Sequence, residues 1–228
     1  MHPSAMHNGA LFFETYLASH AQATVLDIGS QDVNGSLRAL ASPGMRYVGL
    51  DFAAGPGVDL VLDDPYHLPF ADGSVDAVVS SSCFEHIEMF WLMFNEVLRV
   101  LKPEGLFYLN APSNGEFHRY PVDCWRFYPD AGEALVRWGV RSGWRPALLE
   151  SFTTHQQRDI WNDFVAVFVK DAACVGQHSG RMLDRLERYM NGRRHGVEGI
   201  LCLQAASEDG AKLTQLTGHA KPLASPFT

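Results

Sequence analysis

The sequence predicts an α/β fold built on a doubly wound, mainly parallel sheet. Two observations carry that prediction. Short apolar runs alternate with segments of helical pattern from about residue 24 to residue 170, and near-continuous apolar strands belong to parallel sheets covered on both faces. The carboxyl ends of these runs also carry acids and small polar residues: Asp27-Ile28-Gly29, Asp51, Asp63-Asp64, Ser80 to Ser82 and Asn110 to Ser113. Open α/β sheets bind ligands along that edge, near the point where strand order reverses.

Taken in order, residues 10–19 read as a short helix with Leu11, Phe12, Tyr16 and Leu17 on one side. The first strand is 24–28, a short helix follows at 36–41, and strands at 46–50, 57–62 and 75–80 come next. A helix over 88–101 leads through the Lys102-Pro103-Glu104-Gly105 turn into a fifth strand, 106–110. After a loop rich in Pro, His and aromatics come a helix at 130–138 and two strands, 144–152 and 163–170. The last of these alternates and is β-branched. Beyond residue 172 the pattern weakens: 181–189 reads as an amphipathic helix and 212–228 as a poorly ordered tail. The expected organisation is an N-terminal helical segment (1–22), a central domain (23–171) and a C-terminal helical extension with its tail (172–228).

Composition narrows the function classes. A chain of 228 residues with 46% hydrophobic and 19% charged residues buries a full core. Its formal net charge of -8 argues against a nucleic-acid partner. The four cysteines (Cys83, Cys124, Cys174, Cys202) form no C-x-x-C pair and read as free thiols in a reducing compartment. The first nine residues lack a signal-peptide pattern, and no apolar run is long enough to span a bilayer. The expectation is therefore a cytoplasmic, soluble protein without a membrane partner, with a homodimer left open.

The loop after the first strand, Val25-Leu-Asp-Ile-Gly-Ser-Gln-Asp-Val-Asn-Gly-Ser36, places Gly29 where a backbone must approach a ligand closely. Asp51 ends the next strand about twenty residues later, the offset of an acid that accepts both hydroxyls of a ribose. Either residue alone serves equally well as a strand end. Further along stand Asp64-Pro-Tyr-His-Leu-Pro-Phe70, Phe84-Glu-His-Ile87 and Glu96-Val-Leu-Arg-Val-Leu-Lys-Pro-Glu-Gly105.

In this order the motifs resemble the class I S-adenosylmethionine-dependent methyltransferases, specifically the small-molecule subgroup, strongly over residues 25–109 and loosely beyond. The resemblance implies a Rossmann-like sheet of seven strands with the last antiparallel, and S-adenosyl-L-methionine as cofactor. It also implies residue roles. Asp27 and Gly29 line the methionine end of the cofactor, Asp51 holds the ribose, Phe52 stacks near the adenine and Asp64 meets its amine. Ser80 and Ser81 face the reacting methyl. Ser30, Gly35 and Asp63 are counted with the cofactor side. The sequence departs from the family at two loop positions, where Gln31 and Val33 stand in place of glycines. A loop two residues longer, with Gly35 giving the close approach and Ser36 capping the helix, accommodates the change.

The segment from Asn110 to Pro129 falls where an acceptor pocket opens. It mixes Tyr120, Trp125, Phe127 and Tyr128 with His118, Arg119, Asp123 and Arg126. Aromatic faces beside charged hydrogen-bonding groups suit a polyhydroxylated acceptor, and the H-x-x-P-x-D-x-W-R-F pattern resembles methyltransferases associated with glycan biosynthesis. Arg119, Tyr120, Asp123, Trp125 and Arg126 are the expected substrate contacts. Asp123 and Arg126, three apart, equally suit a structural ion pair. An oxygen acceptor needs a base. His118 ranks first because imidazole titrates near neutral pH, followed by His86 and Glu85, with His155 as a further candidate. Asp123, Asp159 and Asp163 show no metal-ligand spacing, so no metal is expected. The stripe Met89, Phe90, Trp91, Met93, Phe94 reads as helix packing.

The leading expectation is methyl transfer to a small hydroxylated acceptor, a sugar or glycan precursor, with oxygen favoured. A non-catalytic methyltransferase-like binding subunit is the alternative, kept open by the altered glycine loop. An NAD-dependent oxidoreductase ranks below both, because G-x-G-x-x-G and Tyr-x-x-x-Lys are absent.

Overall fold

The computed structural model describes residues 3–157 and 160–217. Its elements in chain order are α1 (Pro3–Phe12, continued by a π-helical turn, Phe13–Leu17), β1 (Thr24–Ile28), β2 (Arg46–Asp51), β3 (Leu60–Val61), β4 (Val75–Ser81), α2 (Phe90–Val100), β5 (Leu101–Pro112), α3 (Ala131–Arg141), β6 (Ala147–Thr153), β7 (Asp163–Val169), β8 (Met190–Arg194) and α4 (Glu208–Thr217). They build one sheet in the order β3-β2-β1-β4-β5-β7-β6-β8. The first five strands are parallel, β7 inserts antiparallel to both β5 and β6, and β8 runs antiparallel to β6.

Strand alternation divides the core into two layers. Leu26, Ile28, Phe107, Leu109, Phe164 and Phe168 face α2 and α3. Their neighbours Val25, Tyr108, Val165 and Val167 face α1 and its π-helical turn, where Phe12 packs on Tyr108 with ring centroids 4.8 Å apart. Both faces of β6 and β7 are buried along their whole length.

Several expectations need correction. The sheet has eight strands among the described residues, because Met190–Arg194 adds an edge strand to β6. The helix expected over 181–189 is a single 3-10 turn, Met182–Asp184, and Leu183 there is drawn into the core. Glu150, buried in β6, explains this: its carboxylate accepts from the backbone N–H groups of Met182 and Leu183 at 2.7 and 2.9 Å, and from Tyr16. Bonds to Glu150 and pairing with β6 thus tie this part of the C-terminal segment to the sheet. The tail forms α4 up to Thr217, and residues 218–228 lie outside the described residues, as does Asp159. The third strand shrinks to two residues, the helix at 36–41 is a 3-10 turn, Leu37–Leu40, and β5 takes in the turn residues before it. Ser36 caps the 3-10 turn by accepting from Arg38 N at 3.2 Å. No helix of the described residues is long and apolar enough to cross a membrane.

Candidate active site

β1 lies between β2 and β4, so the chain leaves the sheet in opposite directions on its two sides, and a crevice opens at the strands' carboxyl ends. A cavity of about 500 Å³ occupies it, within the size range of small-molecule sites. One part of its wall comes from the loop after β1. Gly29 N and Ser30 N both donate to Leu50 O, at 2.9 and 3.1 Å, so the chain turns sharply over the end of β2. Gly29 makes this turn at φ +79°, and a Cβ there would come within 2.5 Å of Cys83 Sγ; both facts require glycine.

Asp51 ends β2 at the cavity wall, 7% exposed. Among the described residues its carboxylate receives two long bonds, from Gln31 N and Ala53 N, each at 3.3 Å. It keeps accepting capacity for two adjacent hydroxyls. Phe52 stands next to it, half exposed, with its ring against the cavity. Ser81, at the end of β4, also lines the cavity, and its buried Oγ has no hydrogen-bond partner among the described residues. A ligand that supplies one would relieve that cost.

The segment between β5 and α3 folds back as a lid, and much of its conspicuous composition serves to hold it. Cys124 N and Trp125 N both donate to Glu85 O, and Trp125 Nε1 donates to Ile87 O at 3.0 Å. Arg126 grips Asp123 with both Nη atoms, at 2.6 and 2.9 Å. This guanidinium draws the Asp123 carboxyl down to about 2. Asp123 in turn accepts from His118 N at 2.7 Å. His118, Arg119 and Tyr120, on the segment so held, line the cavity. His86, from the 3-10 turn Phe84–His86 after β4, meets His118 edge-on with ring centroids 5.0 Å apart. Burial lowers the His86 pKa, and it raises that of Glu85, 1% exposed, to about 8.

The expected site residues therefore separate. Gly29, Gly35, Asp51, Phe52, Ser81, His86, His118, Arg119 and Tyr120 all reach the cavity. Asp123, Trp125 and Arg126 do not; they brace the lid, and Trp125 packs on Phe90 and Trp91 at 5.3 and 5.9 Å. Asp27 is buried in β1 and accepts from the Tyr47 hydroxyl at 2.6 Å, and Ser80 Oγ donates to Ile28 O. Ser30 is buried behind the loop, while Asp63 and Asp64 are exposed, with Asp64 Oδ1 taken by Tyr66 N. His155 pairs with Glu208 of α4 at 3.0 Å and is no part of the cavity. Gln31, Val33, Leu62, Tyr66 and Cys83 line the cavity without having been singled out as contacts. Of the helix stripe, Met93 and Phe94 are core, but Met93 also reaches the cavity.

Residues 10–109 match the family described as a methyltransferase domain. An uncharacterized methyltransferase of Mycobacterium leprae (strain Br4923) is 37% identical over 116 residues, covering 45% of this chain and 42% of that protein. One from Mycobacterium sp. (strain JLS) is 41% identical over 176 residues, covering 73% of this chain and 65% of that one. The chain spans less than two thirds of the length of either relative. Among solved structures, Burkholderia thailandensis 1,6-didemethyltoxoflavin-N1-methyltransferase, with 1,6-didemethyltoxoflavin and S-adenosylhomocysteine bound, superposes with a TM-score of 0.56 at 15% identity, covering 74% of this chain and 79% of that one. At that identity the likeness is one of fold. The family match and the methyltransferase relatives show a methyltransferase domain over residues 10–109, and the strand order is that of the Rossmann-like fold expected of the class I S-adenosylmethionine-dependent methyltransferases that the sequence resembles.

Proposed function

We propose that this protein transfers the methyl group of S-adenosylmethionine to an oxygen of a small hydroxylated acceptor of the sugar or glycan-precursor class. One observation carries the reading: a single cavity is lined both by Asp51 and Phe52 and by His86, His118, Arg119 and Tyr120. The first set suits a nucleoside, with a carboxylate for the ribose diol and a ring for the base. The second offers imidazole, guanidinium and phenol groups to a polar acceptor. In the transfer, the acceptor oxygen forms its bond to the methyl carbon as the carbon–sulfur bond breaks. Sulfur takes the electron pair and becomes the neutral thioether of S-adenosylhomocysteine. The hydroxyl proton goes to His118 Nε2, the base best placed on the lid, with His86 and Glu85 beside it.

The test is S-adenosylhomocysteine release by the purified protein over panels of sugars, nucleotide sugars, amines and thiols. Turnover with hydroxylated acceptors supports the reading; turnover confined to amines or thiols removes the oxygen assignment. A non-catalytic binding subunit is the second reading. It is favoured by Gln31 and Val33, which line the cavity where the family resemblance expects glycines, and it predicts cofactor binding without turnover on any acceptor.

A further inference from the structure

We propose that Glu85, His86 and His118 form a binding site for a divalent transition-metal ion of the zinc type on the acceptor side of the cavity. One ligand atom from each residue lies within 4.8 Å of the others, and His86 Nε2 stands 3.7 Å from Glu85 Oε1. Tetrahedral zinc with bonds of about 2.0–2.1 Å holds its ligand atoms about 3.4 Å apart. Small inward rotations of the side chains therefore close the site.

The hydrogen bonds around the cluster prepare both imidazoles as ligands. His86 Nδ1 is 2.5 Å from Val122 O, and His118 Nδ1 is 3.1 Å from Glu116 O. A carbonyl oxygen only accepts, so each Nδ1 carries the hydrogen and each Nε2 is left with its lone pair. This is the arrangement that outer partners impose on metal-bound histidines. His118 Nδ1 also lies 3.5 Å from the Asp123 carboxylate, itself fixed by Arg126. The third member supplies an independent observation: Glu85 is 1% exposed, and its buried Oε2 has no hydrogen-bond partner among the described residues. An orphaned carboxylate oxygen on a residue clustered with two imidazoles is relieved by a cation.

The donor set selects the ion. Two nitrogens and one carboxylate suit zinc and its first-row neighbours, whereas magnesium and calcium favour all-oxygen shells. His86 and His118 line the cavity and Glu85 lies behind them, so the fourth position faces the acceptor. A hydroxyl bound there is acidified by the ion and releases its proton to water. Its oxygen then forms the bond to the methyl carbon as the carbon–sulfur pair returns to sulfur. With the ion bound, His118 Nε2 is a ligand and no longer the base. The ion would also tie the lid to the turn after β4.

The site is tested on the full chain, stripped with a chelator and titrated with zinc alone by calorimetry, with cobalt in parallel for its tetrahedral absorption bands. The account expects one equivalent of zinc bound at micromolar or tighter affinity, weakened by at least about tenfold in His118→Ala and in His86→Ala. His118→Ala lies on the lid and keeps the test meaningful if a change at buried Glu85 fails to fold. Absence of stoichiometric zinc binding, or binding unchanged in His118→Ala, overturns the proposal. S-Adenosylhomocysteine binding measured on the same samples separates the two readings: retained without zinc binding, it removes the metal site alone; lost while zinc binds, it removes the cofactor reading alone.

Discussion

The Tyr120 hydroxyl donates to Gln31 Oε1, joining residues 89 apart in sequence on the wall of one cavity. Gln31 sits in the loop after β1, where the family resemblance expects glycine, and Tyr120 sits in the lid. The departure from the glycine pattern thus has a structural counterpart: the Gln31 side chain joins the lid to the loop after β1.

This link gives the first prediction. Tyr120→Phe removes one hydrogen bond at a partly exposed position, worth about 0.5–1.5 kcal/mol. S-Adenosylhomocysteine affinity should fall about two- to tenfold, with faster dissociation in a stopped-flow trace. An unchanged off-rate would mean that the latch does not retain the ligand.

Asp51→Ala should weaken cofactor affinity by about 1.5–3 kcal/mol, the cost of losing charge-assisted bonds to the ribose. Melting temperature should barely move, because the two backbone bonds that Asp51 accepts are both 3.3 Å long. A large stability loss with intact affinity would recast Asp51 as a structural strand end.

His118→Ala should leave S-adenosylhomocysteine affinity unaltered and lower turnover on the true acceptor by about 10²–10⁴-fold, the range for a removed general base. Steady-state kinetics with that acceptor decide it. Full turnover in the variant rules His118 out both as base and as holder of an activating ion.

Asp27 predicts a pH dependence of stability. Burial raises its folded pKa from 3.8 to about 6. Between those values the folded state binds more protons than the unfolded one, so stability falls as pH rises through the window. The Asp27 contribution is fully present below 3.8 and lost above about 6. Asn keeps an acceptor for the Tyr47 hydroxyl and cannot ionise. Asp27→Asn should therefore flatten the slope, leaving the variant about 1–3 kcal/mol more stable relative to wild type at pH 8 than at pH 4. Denaturant melts across pH 4–8 read this directly, and parallel curves for the two proteins would count against it.

The central strands were legible because apolar periodicity and the acids at strand ends are local signals, and β1, β2, β4 and β7 fall within a residue or so of their expected positions. The eighth strand was not. Met190–Arg194 carries two arginines and a glycine, and its strand is defined by pairing with β6, some forty residues earlier, where buried Glu150 also bonds the preceding turn. In the site, Asp51, Phe52, His86 and His118 were visible as strand-end and motif residues. The separation of the lid into bracing (Asp123, Trp125, Arg126) and cavity-facing (His118, Arg119, Tyr120) residues was not. Which way each side chain of an irregular loop points depends on bonds to Glu85 and Ile87, more than thirty residues away, and no periodicity encodes it.

Calorimetric titration of the purified protein with S-adenosylmethionine, S-adenosylhomocysteine and NAD tests the central claim most directly. The account predicts micromolar binding of both sulfur nucleosides, no binding of NAD, and a clear loss of affinity in Asp51→Ala. Absence of binding by either sulfur nucleoside would contradict it and leave the cavity without its assigned cofactor.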